Sequence, residues 1–278
     1  MNAVTAGPND GPAVVLLHGF PEVWYGWRKQ IAPLAEAGLR VIVPDQRGYN
    51  QSSKPPHVRD YRLRELTADV IAIADQIGRE KILLVGHDWG AAVAWNTAMR
   101  YPGRIEKLAI LNVPHPAVML RFLKTNPRQM LRSWYMLFFQ IPRLPELLFL
   151  RNGERTLLRT SRTGTFSPED LDRYREAWGR PGAVTAMINW YRALLREIPD
   201  RAAVETRVSV PTRILWGKQD RFLMSAMAAE SLKYCDHGEL FELPEATHWI
   251  QHEEPERVNQ LLIEFFRTAG GLATGVLR

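Results

Sequence analysis

An acidic side chain stands between two glycines in the run Gly86–Gly90, whose sequence is GHDWG. The aliphatic run Lys81–Val85 before it predicts a buried strand, and Ala91–Tyr101 after it predicts a helix. A Gly-x-nucleophile-x-Gly run between a strand and a helix is the pattern of a nucleophile elbow, a strained turn that lifts a reactive side chain above the sheet. The pattern therefore predicts that Asp88 is a nucleophile.

Two further side chains complete a nucleophile–acid–histidine order along the chain. Asp220 comes just after the strand-like run Arg213–Trp216, and His248 comes just after Glu239–Leu243. The carboxyl ends of parallel strands meet at one edge of a sheet, where ligands bind. We therefore expect Asp220 to orient His248 beside the nucleophile. A chance glycine turn could explain the elbow alone, but not three such residues that each follow a predicted strand.

The residue type at the elbow restricts the chemistry. A serine attacks a carbonyl carbon and needs the histidine to remove its proton. A carboxylate with a pKa of about 4 is already ionised at neutral pH and can displace a leaving group at saturated carbon, forming an enzyme ester. The histidine is then free to activate the water that hydrolyses this ester. Asp88 thus predicts epoxide or carbon–halogen substrates rather than esters.

A second loop indicates where an oxyanion would be stabilised. The run HGFPE, which begins at His18, follows the predicted strand Ala13–Leu17. In an elbow architecture this loop supplies one backbone N–H of an oxyanion hole, and the residue after the nucleophile supplies the other. Those residues would be Phe20 and Trp89. We interpret His18 and His87 as structural side chains that pack and hydrogen-bond locally.

The elements that must position these residues alternate along the chain. Continuously apolar runs, typical of buried parallel strands, predict six strands: Ala13–Leu17, Arg40–Val43, Lys81–Val85, Lys107–Leu111, Arg213–Trp216 and Glu239–Leu243. Helical patterns lie between and after them at Trp24–Ala37, Tyr61–Ile77, Ala91–Tyr101 and Pro255–Arg267. This alternation predicts an α/β fold with a mostly parallel sheet flanked by helices.

The alternation stops between Val113 and Val208. This interval has helical stretches at Ala117–Phe139, Leu144–Leu150 and Ala183–Glu197, and a capped helix start at Ser167. We expect residues 1–113 and 208–278 to form the α/β core and residues 114–207 to form an all-helical lid over the site. Aromatic residues at helical spacing within the lid are interpreted as core: Trp134, Phe138, Phe139, Trp178 and Trp190.

The formal net charge of +6 has a definite location. Residues 115–200 hold 14 Lys and Arg against 8 Asp and Glu, and the rest of the chain is balanced. Arg151, Arg155 and Arg159 recur at four-residue spacing. Two interpretations are a solvated helix face and a surface for an anionic membrane or ligand. The first is favoured, because no basic cluster interleaved with aromatic residues accompanies the charge.

Composition and motifs exclude several classes of protein. Apolar residues make up 46% of the chain, and the single cysteine, Cys235, excludes an intramolecular disulfide. No secretory signal or membrane-length apolar run is visible, so we expect a cytoplasmic protein without integral membrane association. No zinc spacing, dinucleotide fingerprint, P-loop or nucleic-acid motif occurs. We therefore expect no metal, organic cofactor or nucleic acid, and either a monomer or a homodimer.

Over about residues 10 to 268 the sequence resembles the epoxide hydrolases of the α/β-hydrolase superfamily. The similarity is strongest in six runs: HGFPE at 18–22, DQRGY at 45–49, GHDWG at 86–90, NVPHP at 112–116, YMLFFQ at 135–140 and NWYR at 189–192. The resemblance implies an α/β-hydrolase fold and two lid tyrosines, Tyr135 and Tyr191, that hold the epoxide oxygen and protonate the alkoxide. Helical spacing alone would assign both tyrosines to the core.

The resemblance implies that an apolar epoxide and water give a vicinal diol. Two departures stand out: the chain begins about one strand late, which predicts a shorter sheet edge, and Asn50 replaces a usual glycine. Asparagine tolerates the left-handed backbone that such a turn needs.

A haloalkane dehalogenase with the same nucleophile is the nearest alternative, and Trp89 would suit halide binding. That family typically has asparagine where Phe20 stands, and it needs no paired lid tyrosines. A fluoroacetate dehalogenase would have arginine in place of Trp89, and Asp88 disfavours a serine-type esterase. A non-catalytic receptor on the same fold has no reason to keep both Asp220 and His248.

Overall fold

The computed structural model describes residues 1–196 and 207–267, with a seven-stranded sheet at its centre. Its strands, in chain order, are β1 (Ala3–Ala6), β2 (Ala13–Leu17), β3 (Arg40–Pro44), β4 (Ile82–His87), β5 (Ile105–Leu111), β6 (Thr212–Gly217) and β7 (Gly238–Leu243). The spatial order is β1-β3-β2-β4-β5-β6-β7. Every neighbouring pair is parallel except β1 and β3. The predicted, mostly parallel sheet is confirmed, and all six predicted strands are present.

Strand β1 is one that the sequence pattern did not predict. It pairs antiparallel with β3, so that Ala3 lies opposite Pro44 at the edge of the sheet. The Asn2 amide also donates a hydrogen bond of 2.8 Å to Asp45 Oδ2. The strand has only four small residues, alternately exposed and half-buried. Strand β1 therefore lacks the continuous apolar run by which the other strands were predicted. It is recognised only from its pairing with β3 in the folded chain.

Twelve helices are found in the described residues. In chain order they are α1 (Arg28–Glu36), α2 (Leu63–Gln76), α3 (Trp89–Arg100), α4 (Pro116–Thr125), α5 (Pro127–Arg132), α6 (Trp134–Phe138), α7 (Leu144–Thr160), α8 (Pro168–Trp178), α9 (Ala183–Arg196), α10 (Ala226–Leu232), α11 (Ile250–Glu253) and α12 (Pro255–Arg267). Short 3-10 helices precede α1 and α2 and follow α3. None of the helices is long and apolar enough to cross a bilayer.

The two faces of the sheet bury separate hydrophobic clusters. Val15 and Leu17 point into a cluster with residues of α2, α3 and α10, whereas Val14 and Leu16 belong to a cluster with residues of α1, α11 and α12. Alternate side chains of a strand point to opposite faces, so a strand covered on both sides must be apolar throughout. All five residues of β2 are buried, as its continuous apolar run predicted.

Helices α4 to α9, which we call the helical insertion (residues 116–196), connect β5 to β6. The predicted single stretch Ala117–Phe139 is divided into three helices. The first break occurs at Asn126, whose side chain caps α5 by accepting hydrogen bonds from the backbone N–H groups of Arg128 and Gln129. The predicted start at Ser167 is confirmed by a reciprocal capping box with Asp170. The division into a core and a lid stays a prediction, and residues 197–206 of the predicted lid and 268–278 of the predicted core lie outside the described residues.

One aromatic residue of the insertion lies where it was not expected. Trp134 is 60% exposed, so its assignment to the core is wrong. Phe139, Trp178 and Trp190 are buried as predicted, and Phe138 is partly buried. The five-residue helix α6 lies along a cavity, described below, and the exposed indole of Trp134 stands at the rim of this cavity.

Candidate active site

Asp88 occupies a tight turn between β4 and α3. Its backbone is in an unusual conformation, with φ 50° and ψ −124°, which few residues other than glycine adopt without strain. A Cβ on Gly86 would lie 2.4 Å from the carbonyl oxygen of Gly90, and a Cβ on Gly90 would lie 2.1 Å from the carbonyl oxygen of Leu17. Only glycine fits on either side, so the chain has the predicted elbow, with Asp88 at the carboxyl end of β4.

The structure brings the three predicted catalytic residues together. His248 Nε2 lies 3.3 Å from Asp88 Oδ2, and His248 Nδ1 lies 2.7 Å from Asp220 Oδ2. The imidazole is therefore held between two carboxylates. This geometry is compatible with the predicted order of nucleophile, base and orienting acid, whose roles stay a prediction.

Asp220 is fixed by partners that the sequence analysis did not identify. Its Oδ1 accepts backbone N–H bonds from Phe222 at 2.7 Å and Leu223 at 2.9 Å. Its Oδ2 accepts a bond of 2.7 Å from the side-chain amide of Asn112, at the end of β5. Asn112 itself has a φ of 53°, and its Oδ1 accepts the N–H of Gly217 at 2.9 Å. Asn112 therefore positions Asp220. In the sequence, the only indication of this role is that Asn112 directly follows a predicted strand.

Charge pairing sets the protonation of the site. Burial acts to lower the pKa of His248, but the charge and hydrogen bond of Asp220, followed by those of Asp88, raise it to about 10. Burial also acts to raise the pKa of Asp88, yet the hydrogen bond and charge of His248, with smaller effects of His87 and the Phe20 N–H, lower it. At neutral pH the site thus holds an ionised Asp88 carboxylate against the imidazolium of His248.

The loop after β2 closes over the nucleophile. The backbone N–H of Phe20 donates a hydrogen bond of 2.7 Å to Asp88 Oδ1. A Cβ on Gly19 would lie 2.2 Å from the Cβ of Asp88, so glycine allows this close approach. Trp89 is the first residue of α3, where a backbone N–H has no partner within the helix. Both predicted oxyanion-hole residues thus flank Asp88, and their role stays a prediction.

Two apolar cavities meet at the nucleophile. The larger, of about 780 Å³, lies on the side of Phe20, Phe149 and Trp249. The smaller, of about 310 Å³, lies on the side of Met119 and Leu123. Asp88, Tyr135 and Tyr191 line both cavities. Within the described residues, no group of three or more His, Cys, Asp or Glu side chains could hold a metal ion.

The two tyrosines of the insertion lie next to each other above Asp88. The ring centroids of Tyr135 and Tyr191 are 5.9 Å apart. Tyr191 also packs edge-on against Trp89 and Phe20, at 5.0 Å and 5.3 Å. Burial, and then the charge of Asp88, raise the pKa of each phenol above its usual value. Both phenols are therefore protonated at neutral pH. A phenol must be protonated to donate a hydrogen bond to an epoxide oxygen.

A buried polar network lies behind the imidazole. His87 Nε2 donates a hydrogen bond of 2.8 Å to the carbonyl oxygen of His248, and His87 Nδ1 accepts one of 3.1 Å from Gln251. Gln251 also donates to Glu22 at 3.0 Å, and Tyr174 of α8 donates to Glu22 at 2.7 Å. His87 is thus structural, as interpreted from the sequence, and the network joins the insertion to the His248 loop. In the sequence, the only indication that Glu22 takes part in this network is its position in the HGFPE run.

The remaining conformational predictions agree with the structure. His18 accepts a hydrogen bond from the backbone N–H of Gln46 through Nε2 and lies 3.1 Å from the Gly19 carbonyl through Nδ1, so it packs within its loop as expected. Asn50, in place of a usual glycine, has a φ of 41°. Its turn adopts the left-handed conformation that was anticipated for it.

Comparison with known proteins agrees with the fold. Residues 12–255 match the sequence family described as "alpha/beta hydrolase fold". The chain therefore belongs to the α/β-hydrolase family. The AB hydrolase superfamily protein YfhM of Bacillus subtilis is 47% identical over 272 residues, which cover 96% of this chain and 94% of that protein.

More specific relatives define the branch of this family. Epoxide hydrolase 4 of Mus musculus is 39% identical over 95% of this chain and 75% of its own length. The solved epoxide hydrolase of Bacillus megaterium, in complex with an inhibitor, superposes with a TM-score of 0.86 at 30% identity, over 96% of both chains. Within the α/β-hydrolases the chain is an epoxide hydrolase family member, which confirms the prediction made from its motifs.

The pKa of His248 leads to a prediction about stability. A group whose pKa rises from 6.5 when unfolded to about 10 when folded stabilises the protein fully below pH 6.5 and loses this contribution as the pH approaches 10. We expect the wild-type free energy of unfolding to fall more steeply over this window than that of His248→Gln. Urea unfolding at several pH values measures both. His237→Gln, an exposed histidine, serves as control, and parallel pH profiles for wild type and His248→Gln would refute the charge pairing.

Proposed function

We propose that this protein hydrolyses apolar epoxides to vicinal diols through an alkyl ester on Asp88. The observation that carries the proposal is the arrangement at the elbow. An ionised carboxylate lies in contact with His248 and lines an apolar cavity together with two protonated tyrosines. A serine-type hydrolase would need a neutral hydroxyl at this position, and Asp88 has no such group.

In the first step, Tyr135 and Tyr191 donate hydrogen bonds to the epoxide oxygen. Asp88 attacks one ring carbon, the carbon–oxygen bond breaks, and one tyrosine gives its proton to the alkoxide. The products are an ester on Asp88 and a tyrosinate. The free hydroxyl of the substrate remains beside the two phenol rings. Ring opening at saturated carbon needs both the nucleophile and this acid, because an alkoxide is a poor leaving group.

In the second step, His248 activates water. Esterification removes the charge of Asp88, one of the groups that raise the pKa of His248, so the imidazolium becomes more acidic and can return a proton to the tyrosinate. The neutral imidazole then takes a proton from water as the hydroxide attacks the ester carbonyl. The N–H groups of Phe20 and Trp89 stabilise the oxyanion. The tetrahedral intermediate then collapses and the ester carbon–oxygen bond to the substrate breaks. The hydroxyl that water added to the carboxyl carbon gives its proton to the leaving alkoxide, so the diol departs, Asp88 is again a carboxylate and His248 is an imidazolium.

The cavities indicate which epoxides fit. Because apolar space lies on both sides of Asp88, substituents on either ring carbon can be accommodated. The shared lining of both cavities is limited to Asp88, Tyr135 and Tyr191. Binding energy therefore comes mainly from apolar contact, whereas the polar groups orient the ring.

The reaction is tested by product analysis. Incubation with styrene oxide is expected to give the corresponding diol, whereas incubation with 1-bromobutane is expected to release no bromide. Asp88→Ala should fall to the uncatalysed rate, because Asp88 is the one carboxylate among the described residues that line the two cavities. Asp10→Ala, at an exposed position far along the chain from the elbow, is the matched control.

Each outcome separates the proposal from its alternatives. Halide release without diol formation would instead indicate a haloalkane dehalogenase. Epoxide turnover by Asp88→Ala would contradict the assignment of the nucleophile. Failure of the wild type to turn over any epoxide would reject the proposed activity.

A further inference from the structure

The helical insertion carries most of the exposed apolar surface of the described residues. Of fourteen exposed large apolar side chains, eleven lie between Leu120 and Leu158. They include Leu131, Trp134 and Leu137, which are 75%, 60% and 70% exposed. A soluble monomer seldom exposes so many apolar side chains in one segment, and such a surface usually marks a contact with a partner or a membrane.

This apolar surface surrounds the mouth of the larger cavity. Leu131 and Trp134 line the cavity from α5 and α6, and Leu148 and Asn152 line it from α7. All four side chains are also exposed to solvent. A side chain that both lines a cavity and meets solvent stands at its opening. The entrance to Asp88 therefore lies among exposed, mostly apolar side chains of the three helices α5, α6 and α7.

The positive charge of the chain lies on the same helices. Residues 116–160 hold eight Lys and Arg and two acids, a surplus of six, which equals the formal net charge of the whole chain. Both acids are already paired with arginines outside this segment, Glu146 with Arg192 and Glu154 with Arg175. Neither acid of residues 116–160 is therefore available to neutralise the cations of α4 to α7.

The cations and the apolar side chains share one helix face. Leu144, Leu148, Arg151, Arg155 and Arg159 follow one another on α7 at spacings of three or four residues, which places them on one side of the helix. Within residues 1–196 and 207–267, no carboxylate lies within 4.0 Å of Lys124, Arg128, Arg143, Arg151 or Arg155. An apolar stripe with arginines beside it is the pattern of a helix that lies in a membrane interface.

We propose that helices α4 to α7 form a docking surface for an anionic phospholipid bilayer. The exposed leucines and Trp134 would enter the boundary between headgroups and acyl chains, where tryptophan is favoured. The arginines would bind lipid phosphates through their planar guanidinium groups. The cavity mouth would then face the bilayer, so an apolar compound dissolved in the lipid could reach Asp88 without crossing water.

Charge argues for a bilayer over a second copy of the chain. A symmetric dimer would place the same arginines of both copies in one contact, and unpaired like charges would oppose it. An anionic bilayer instead complements the surplus of six. The sequence alone favoured a solvated helix face because no basic cluster interleaved with aromatic residues accompanies the charge. The exposure of Trp134 removes that objection. Docking itself does not depend on the reaction proposed above.

Vesicle co-sedimentation tests the docking. Wild-type protein is expected to bind vesicles of phosphatidylcholine and phosphatidylglycerol, mixed at about 2:1, and to bind phosphatidylcholine alone much more weakly. Each arginine near such a surface contributes about fivefold. Arg151→Glu with Arg155→Glu should therefore weaken binding by at least ~25-fold, and added salt should weaken wild-type binding.

Matched variants separate the apolar and ionic parts of the surface. Leu137→Ser with Leu144→Ser should also reduce binding, and neither residue lines a cavity, so turnover of a dissolved epoxide should persist. Arg257→Glu on α12 and Tyr101→Ser, just after α3, change exposed residues outside the helical insertion and are the controls. The proposal fails if wild-type protein does not bind anionic vesicles or if the controls weaken binding equally. It also fails if light scattering shows a dimer that Leu137→Ser with Leu144→Ser dissociates while vesicle binding is absent.

Discussion

Substitution of His248 by glutamine is expected to stop the reaction after the first step and to trap the substrate on Asp88. Ring opening needs Asp88 and the two tyrosines, whereas hydrolysis of the ester needs a base that glutamine cannot supply. Loss of a general base typically costs ~10²–10⁴-fold in rate. Intact-protein mass after incubation with styrene oxide should increase by the mass of one substrate molecule, and peptide mapping should locate the adduct at Asp88.

The choice of pH and control makes this test selective. Removal of His248 also removes the hydrogen bond and charge that lower the pKa of Asp88, so this pKa should rise. The incubation is therefore carried out above neutral pH, where the carboxylate stays ionised. His237→Gln should turn over normally and carry no adduct. An adduct on another peptide, or unchanged diol formation by His248→Gln, would show that the two-step scheme is wrong.

Substitution of both Tyr135 and Tyr191 by phenylalanine is expected to block ring opening itself. Each phenol supplies a hydrogen bond to the leaving oxygen, and the acid of the pair supplies its proton, an effect of ~10²–10⁴-fold. Each single variant should open the ring more slowly, and the double variant should be slower than either. Phenylalanine retains the aromatic packing of Tyr191 against Trp89, so the loss reports on the hydroxyl groups.

The step is isolated by measuring the rate of adduct formation in the His248→Gln background, where hydrolysis no longer competes. Tyr101→Phe, on an exposed tyrosine at the end of α3, should leave this rate unchanged. If the double tyrosine variant forms the adduct at the rate of its parent, then the two phenols are not the acids of this site.

The turn at Asp88 and the meeting of Asp88, Asp220 and His248 were predictable because their signals are local. The glycines of GHDWG indicate that the backbone around Asp88 is too crowded for a Cβ. The buried strands are recognised because they are apolar throughout. Asp220 and His248 each follow such a strand. Residues with a clear local pattern thus fall at the correct edge of the sheet without any knowledge of the tertiary structure.

Features that depend on distant contacts were not predictable in this way. Asn112 reaches Asp220 across more than a hundred residues of sequence, and Glu22 meets the residues after His248 only in the folded chain. Strand β1 is likewise defined by its partner β3. Periodicity could not show that a cavity, rather than a neighbouring helix, lies beside Trp134, so its exposure became evident only from the structure.

The hydrogen bond from Tyr174 to Glu22 bears on how this enzyme could be re-engineered. A chimera that replaces the helical insertion to change the range of accepted compounds would also replace Tyr174. A donor sequence with phenylalanine there would leave a buried carboxylate one partner short, at a cost of about 1–3 kcal/mol. The same carboxylate holds Gln251, three residues beyond His248. Grafts designed for new specificity should therefore keep this tyrosine, because its loss would weaken the network that supports the His248 loop.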